Sequence, residues 1–170
     1  TYVVEGTFRH EDDHGGPPGP LPAGSVQRMT LGSGAWHSEQ NASDTEPMRF
    51  IQMWILPRER GLEPSVEQKV FTKEDRTDKL LRVISPEGGD AILVHQDASV
   101  YISSMSEGTT LTHALEPDKG VYLYVISGSV EVNDEKLGTG DAAEISENTE
   151  LQFRAQAPTE LIMVEVRLSA

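Results

Sequence analysis

His37 and Glu39 are the two residues whose types and spacing most directly suggest chemistry. On an extended segment, residues two apart point to the same face. An imidazole and a carboxylate side by side suit a borderline to hard divalent metal, and the usual non-haem iron arrangement is two histidines and one carboxylate with open positions. The plain alternative is a strand histidine beside a solvated carboxylate, because such pairs are common and short motifs match by chance. Residues near this pair in sequence, Gln27, Met29, Trp36, Gln52 and Trp54, are expected to line an aromatic substrate pocket. Ordinary packing of alternating strand residues is the competing account.

The other histidines carry less. His10 and His14 flank Glu11-Asp12-Asp13, a spacing that could bind a metal on a helix. The following Gly15, Gly16, Pro17 and Pro18 argue against a helix, so His10–Pro22 is expected to be a flexible acidic surface loop. His113 has no second histidine at His-x-His spacing and is expected to be structural. His95 is expected at a strand end without chemistry. With no cysteine in the chain, disulfides, thiolate sites and cysteine nucleophiles are excluded. Gly32-Ser33-Gly34 lacks the lysine and helix of a phosphate-binding loop. No Ser-His-Asp signature is present.

The elements that must position these residues are strands. Tyr2–Phe8, Val26–Thr30, Phe50–Leu56, Ala91–Val94, Ser99–Met105, Val121–Ile126, Ser129–Val132, Ala142–Ile145, Glu150–Arg154 and Leu161–Leu168 are short β-branched or aromatic runs, punctuated by Gly, Pro, Asn and Asp. Helical periodicity is confined to a turn or two near Lys73–Leu81. Many short strands with regular turns indicate a sandwich or barrel. At 170 residues the chain can bury roughly 70% of its unfolded surface, enough for a core without staples.

The chain also repeats itself. Tyr2-Val3-Val4-Glu5-Gly6-Thr7-Phe8 aligns with Tyr124-Val125-Ile126-Ser127-Gly128-Ser129-Val130, and Gly24 aligns with Gly140, at offsets of 122 and 116. The unit is a hairpin whose glycines permit tight turns. A charged stretch with Pro57, Gly61 and Pro64 separates the copies. Pro57–Asp78 is therefore expected to be the connection between a first domain, 1–78, and a second, 79–170.

A strand ending in Gly, followed by a Pro-x-Gly turn, resembles the cupin superfamily of double-stranded jelly rolls. The ordinary cupin ligand position is occupied by Gln27 in the first copy and Ala143 in the second. The run Gly32-Ser33-Gly34-Ala35-Trp36-His37-Ser38-Glu39 resembles the pirin family instead. So do Phe50-Ile51-Gln52-Met53-Trp54-Ile55-Leu56-Pro57, the Glu63-Pro64 and Glu67-Gln68 pairs, and His95-Gln96-Asp97-Ala98. The similarity runs through essentially the whole chain and is strongest to bacterial pirin-like quercetin dioxygenases. It implies an all-β bicupin whose N-terminal cupin is truncated. With no His-x-His at His113, the second cupin is expected to be metal-free.

The resemblance also implies a site. Two histidines of a His-x-His motif, about a dozen residues before the glycine that Gly6 matches, would join His37 and Glu39 around one metal. Iron is the first expectation; Ni, Mn, Cu, Zn or Co are the others. The implied substrates are a flavonol such as quercetin and O2, with Glu39 as general base and ring opening with loss of carbon monoxide. Among these 170 residues only His37 and Glu39 match the ligand set. A non-catalytic pirin-type regulatory or protein-interaction role is the alternative. Missing opening strands are expected to expose sheet edges, leaving the N-terminal half loosely ordered or self-associated through those edges.

Charge narrows the partners. Lys+Arg total 14 against 28 Asp+Glu, a formal charge of −14, which repels a phosphate backbone and argues against direct nucleic-acid binding. No apolar run approaches the roughly 20 residues needed to span a bilayer. With no secretory signal visible, a cytoplasmic protein without membrane attachment is expected.

Overall fold

The computed structural model describes residues 1–16 and 19–168. Pro17 and Pro18 of the expected loop, and Ser169 and Ala170 at the end of the expected second domain, lie outside them. In chain order the strands are β1 (Tyr2–Glu5), β2 (Thr7–Asp12), β3 (Leu21–Pro22), β4 (Ser25–Thr30), β5 (His37–Asn41), β6 (Arg49–Ile51) and β7 (Ser65–Val70). One helical turn, α1 (Lys73–Arg76), precedes β8 (Leu81–Ser85), β9 (Ile92–Leu93), β10 (Ala98–Met105), β11 (Thr110–Ala114) and β12 (Lys119–Ser127). The rest are β13 (Ser129–Val132), β14 (Glu135–Gly138), β15 (Ala142–Ile145), β16 (Glu150–Ala155) and β17 (Thr159–Arg167).

Two compact units result. The first takes Thr1–Thr72 and Pro86–Gln96, the second Lys73–Ser85 and Asp97–Ala170. Each holds two antiparallel sheets, the sandwich of a cupin. The first unit pairs its strands in the orders β6-β1-β4-β7 and β3-β2-β5. Val3, Phe8 and Leu21, drawn from both of its sheets, form a small buried cluster with Met48 and Phe50 against it. Arg28 ties this unit together: its guanidinium donates to the Leu93 carbonyl at 3.0 Å, to Ser65 Oγ at 2.7 Å and to Glu67 at 3.1 Å.

Within the second unit the orders are β15-β12-β17-β10-β8 and β11-β16-β13-β14. Its inner faces alternate as a half-buried strand should. In β16, Leu151, Phe153 and Ala155 point inward and Gln152 and Arg154 outward. They meet Val121, Leu123, Val125, Leu161 and Met163 from the opposite sheet in one continuous core.

The duplication is written into the backbone. Gly6 (φ 75°) separates β1 from β2, and Gly128 (φ 90°) separates β12 from β13. A Cβ on Gly6 would lie 2.3 Å from the Pro47 carbonyl oxygen, and one on Gly128 would lie 2.2 Å from that of Pro158. The Gly24 amide donates to the Val3 carbonyl at 2.8 Å and the Gly140 amide to the Val125 carbonyl at 2.9 Å. The two copies therefore close their turns with the same bonds from the same positions.

Three expectations from sequence need correction, and some strands went unannounced. The loop expected over His10–Pro22 begins as strand: β2 continues through Asp12, and His10 is buried. The strand expected over Phe50–Leu56 ends at Ile51. Beyond it exposure still alternates, but no neighbouring strand takes up the backbone among the described residues. Pro57–Asp78 is not only a connection, because β7 pairs with the full length of β4, from Ser25 opposite Val70 to Thr30 opposite Ser65. Its Glu67 and Lys69 look like linker charges but bond Arg28 and the Asp90 carbonyl. Last, polar strands β5, β11 and β14 form where no apolar run announced them.

Candidate metal centre

β2 and β5 carry the site. They run antiparallel with His10 opposite Glu39, Glu11 opposite Ser38 and Asp12 opposite His37. Directly opposed residues share a face. One face of this pair therefore collects Phe8, His10 and Asp12 from β2 with His37, Glu39 and Asn41 from β5. His37 is exposed and Glu39 half-buried.

Glu39 is held. The side-chain amide of Gln52 donates to both of its carboxylate oxygens, at 3.0 and 3.2 Å. Each oxygen keeps lone pairs for another partner. The His37 ring stacks on the His10 ring, centroids 5.6 Å apart and planes 26° from parallel. His10 Nε2 lies 3.3 Å from an Asp12 carboxylate oxygen. Asp12 in turn accepts the backbone amides of His14 (2.8 Å) and Gly16 (3.2 Å). Burial pushes the Asp12 carboxyl up, but those amides and the neighbouring His10 outweigh it and hold the group below the usual carboxylate range.

The other expected pocket residues come from β4 and from the segments before β5 and after β6. Gln27 is buried and its amide donates to Gln68 at 3.3 Å. Met29 is half-buried two residues further along β4. Trp36, beside His37, is 85% exposed, with its backbone fixed by two bonds to Asp13. Trp54 is 90% exposed. Gln52 is the one of the five with a bond to Glu39. His14 is exposed, and its ring bonds the Gly34 carbonyl at 3.1 Å.

His113, expected to be structural, belongs to the second unit. Its Nε2 lies 2.6 Å from Glu165, whose other oxygen accepts Lys119 at 3.0 Å, and its ring meets Tyr101 edge-on. Burial pushes the Glu165 carboxyl up, but the bonds from His113 and Lys119 bring it below its ordinary value. The His95 carbonyl accepts the Arg58 amide at 2.9 Å, just after β9.

Register identifies what replaces the site in the second unit. Phe8 lies opposite Asn41 and His10 opposite Glu39, just as Val130 lies opposite Ala155 and Val132 opposite Phe153. His10 thus corresponds to Val132, Glu39 to Phe153 and His37 to Leu151. All three counterparts are buried hydrophobics. The same face that is solid core in one copy is polar in the other.

As to a metal, an imidazole and a carboxylate such as His37 and Glu39 are donor types that suit a divalent ion. Among the described residues no three His, Cys, Asp or Glu side chains converge closely enough to hold an ion. Nor is any helix among them long and apolar enough to cross a membrane.

Comparison with known proteins agrees with the fold. Residues 1–55 match the family model described as Pirin, and residues 82–166 the one described as Quercetinase C-terminal cupin domain. The chain is 34% identical to quercetin 2,3-dioxygenase of Escherichia coli strain K12, over 98% of this chain and 71% of that protein. It is 36% identical to a pirin-like protein of Caulobacter vibrioides, over 97% of this chain and 71% of that one. Among solved structures, the bacterial pirin YhhW from Escherichia coli in complex with nickel(II) superposes with a TM-score of 0.90. It is 31% identical, with 99% of this chain and 71% of that chain covered.

Proposed function

The chain belongs to the pirin family of two-cupin proteins, and on that premise we propose that it is a metal-dependent dioxygenase acting on flavonols such as quercetin. The observation that carries the proposal is the shared face of β2 and β5. There His37 and Glu39 stand where the duplicate unit has the core residues Leu151 and Phe153. A fold that can fill this position with hydrophobics has no structural need for an imidazole and a carboxylate.

In this reading His37 and Glu39 are two of the ligands of a divalent metal. The related nickel complex supports a divalent ion, and iron is the expectation for oxygen chemistry. The further donors belong to the family's His-x-His motif, which does not occur in these 170 residues. A metal bound here supplies the Lewis acidity that lowers the pKa of the flavonol hydroxyl. Glu39 takes the hydroxyl proton as general base, and Gln52 holds the carboxylate in place to do so. Trp36 and Trp54 offer exposed rings for the aromatic substrate, with Gln27 and Met29 as further lining. The proposed setting is the cytoplasm, with no nucleic-acid or membrane partner.

A second reading, a non-catalytic pirin-type interaction protein, is favoured by one observation: no three donors converge among the described residues. Oxygen uptake separates the two. With quercetin and excess Fe(II) or Ni(II), the dioxygenase reading expects metal-dependent O2 consumption. Glu39→Gln should slow it by about a hundredfold, and His37→Ala should abolish it. Absence of uptake at saturating metal would sink the enzyme reading for this chain and leave the interaction reading standing.

A further inference from the structure

His10 is a histidine in a core position. It is 9% exposed, and neither ring nitrogen has a hydrogen-bond partner. Its polar neighbour is the Asp12 carboxylate, 3.3 Å from Nε2 and a partner in charge. An unsatisfied buried polar atom costs about 1–3 kcal/mol. The duplicate unit avoids that cost by placing Val132 at the matching register, opposite Phe153. Apolar packing alone therefore gives no reason for histidine at position 10.

The surroundings supply a reason. The His10 ring lies between two others, stacked on Phe8 (6.5 Å, 13°) on one side and on His37 (5.6 Å, 26°) on the other. Its edge faces the Asp12 carboxylate, which is itself pinned by the backbone amides of His14 and Gly16. Gly16 is fitted to this purpose, because a Cβ there would stand 2.3 Å from the Asp12 carboxylate oxygen. A chain of fixed groups thus runs from Gly16 through Asp12 and His10 to His37. His37 is the one member exposed to solvent, and its ring has no hydrogen bond among the described residues. An exposed imidazole with free rotamers must be ordered before it can bind, and the ordering entropy weakens the binding.

We infer that His10 is a positioning residue: its ring is the surface on which His37 is stacked, and Asp12 holds that ring's edge. This rests on the reading of His37 and Glu39 as metal ligands, and its test has one arm that does not. In the metal-free protein, NMR couplings and ring relaxation report whether His37 occupies one rotamer. One rotamer is expected in the wild type and in His10→Phe, which keeps the ring surface, and averaging among rotamers in His10→Ala. In the second arm, Ni(II) is titrated and the broadening of the Glu39 amide signal is followed. The midpoint should rise about tenfold in His10→Ala and less than about threefold in His10→Phe, as expected when a supporting group rather than a ligand is lost.

A single His37 rotamer in His10→Ala overturns the inference. So does a His10→Phe midpoint as weak as that of His10→Ala, which would make His10 a ligand itself. If His37→Ala leaves the broadening unchanged, the metal reading fails instead, and the rotamer arm still decides the role of His10. Core signals from Val3 and Leu21 show whether each variant remains folded.

Discussion

At the scale of residues, the turn glycines Gly6 and Gly128 are fixed by contact. Alanine at either would have to adopt φ of 75° or 90° and push a Cβ into a carbonyl oxygen. Left-handed backbone alone costs an L residue about 1–2 kcal/mol, and the clash adds to it. Gly6→Ala and Gly128→Ala should each lower the unfolding free energy by more than about 1 kcal/mol, read as the urea midpoint multiplied by its slope. Gly15→Ala also has positive φ but open space around it, so it should cost less than either. Repetition makes these glycines recognisable in the sequence. His37 and Glu39 stand out there as well, because their spacing makes sense on any extended strand. His10 does not, because Glu11-Asp12-Asp13 and the Gly-Pro run after it look like solvated loop. Only the register with β5 shows that His10 and Asp12 face the pair.

Among elements, the strands hardest to read from sequence lie mostly at sheet edges. β4, β12, β13, β16 and β17 have neighbours on both sides, and their β-branched or aromatic runs are plain. β5, β7, β11 and β14 lie at sheet edges and read His-Ser-Glu-Gln-Asn, Ser-Val-Glu-Gln-Lys-Val, Thr-Leu-Thr-His-Ala and Glu-Lys-Leu-Gly. One face of an edge strand is often wet, and charge there guards against wrong pairing, so its sequence loses the alternation that marks a strand. The matched strands β5 and β16 make this testable. β16 lies between β11 and β13, whereas β5 pairs with β2 and has no strand on its other side among the described residues. Hydrogen exchange should therefore be faster in β5 than in β16, with the outward amides of Glu39 and Asn41 exchanging before those of Phe153 and Ala155, which face β11. Equal protection in a dilute monomer would show that something else covers the β5 edge.

For the molecule as a whole, charge and pH enter. The formal charge of −14 repels itself, and acidification relieves that repulsion as carboxylates protonate. The buried Glu165 works in the other direction. Burial opposes its ionisation, but His113 and Lys119 win, so its folded pKa lies below its unfolded value. Its contribution is full above the unfolded carboxylate pKa of about 4.3 and is lost as pH falls through the lower folded value. Lys119 is the mirror case. Burial opposes its charge, but Glu165 and then Asp97 and Glu116 raise its pKa. That contribution is full below the unfolded value of about 10.4 and is lost as pH rises through the higher folded value. The second unit should hold its stability between these limits. Glu165→Gln should remove about 1.5–3 kcal/mol at neutral pH, the worth of hydrogen bonds to a charged group. It should also flatten the acid limb of a plot of urea midpoint against pH, monitored through methyl signals of Leu151 and Leu161. Salt separates the two acid effects: screening weakens the repulsion among surface carboxylates but reaches the buried Glu165 pair much less. High salt should therefore leave the acid limb of the wild type in place or steepen it, and its disappearance there would mean that the buried Glu165 pair does not control it.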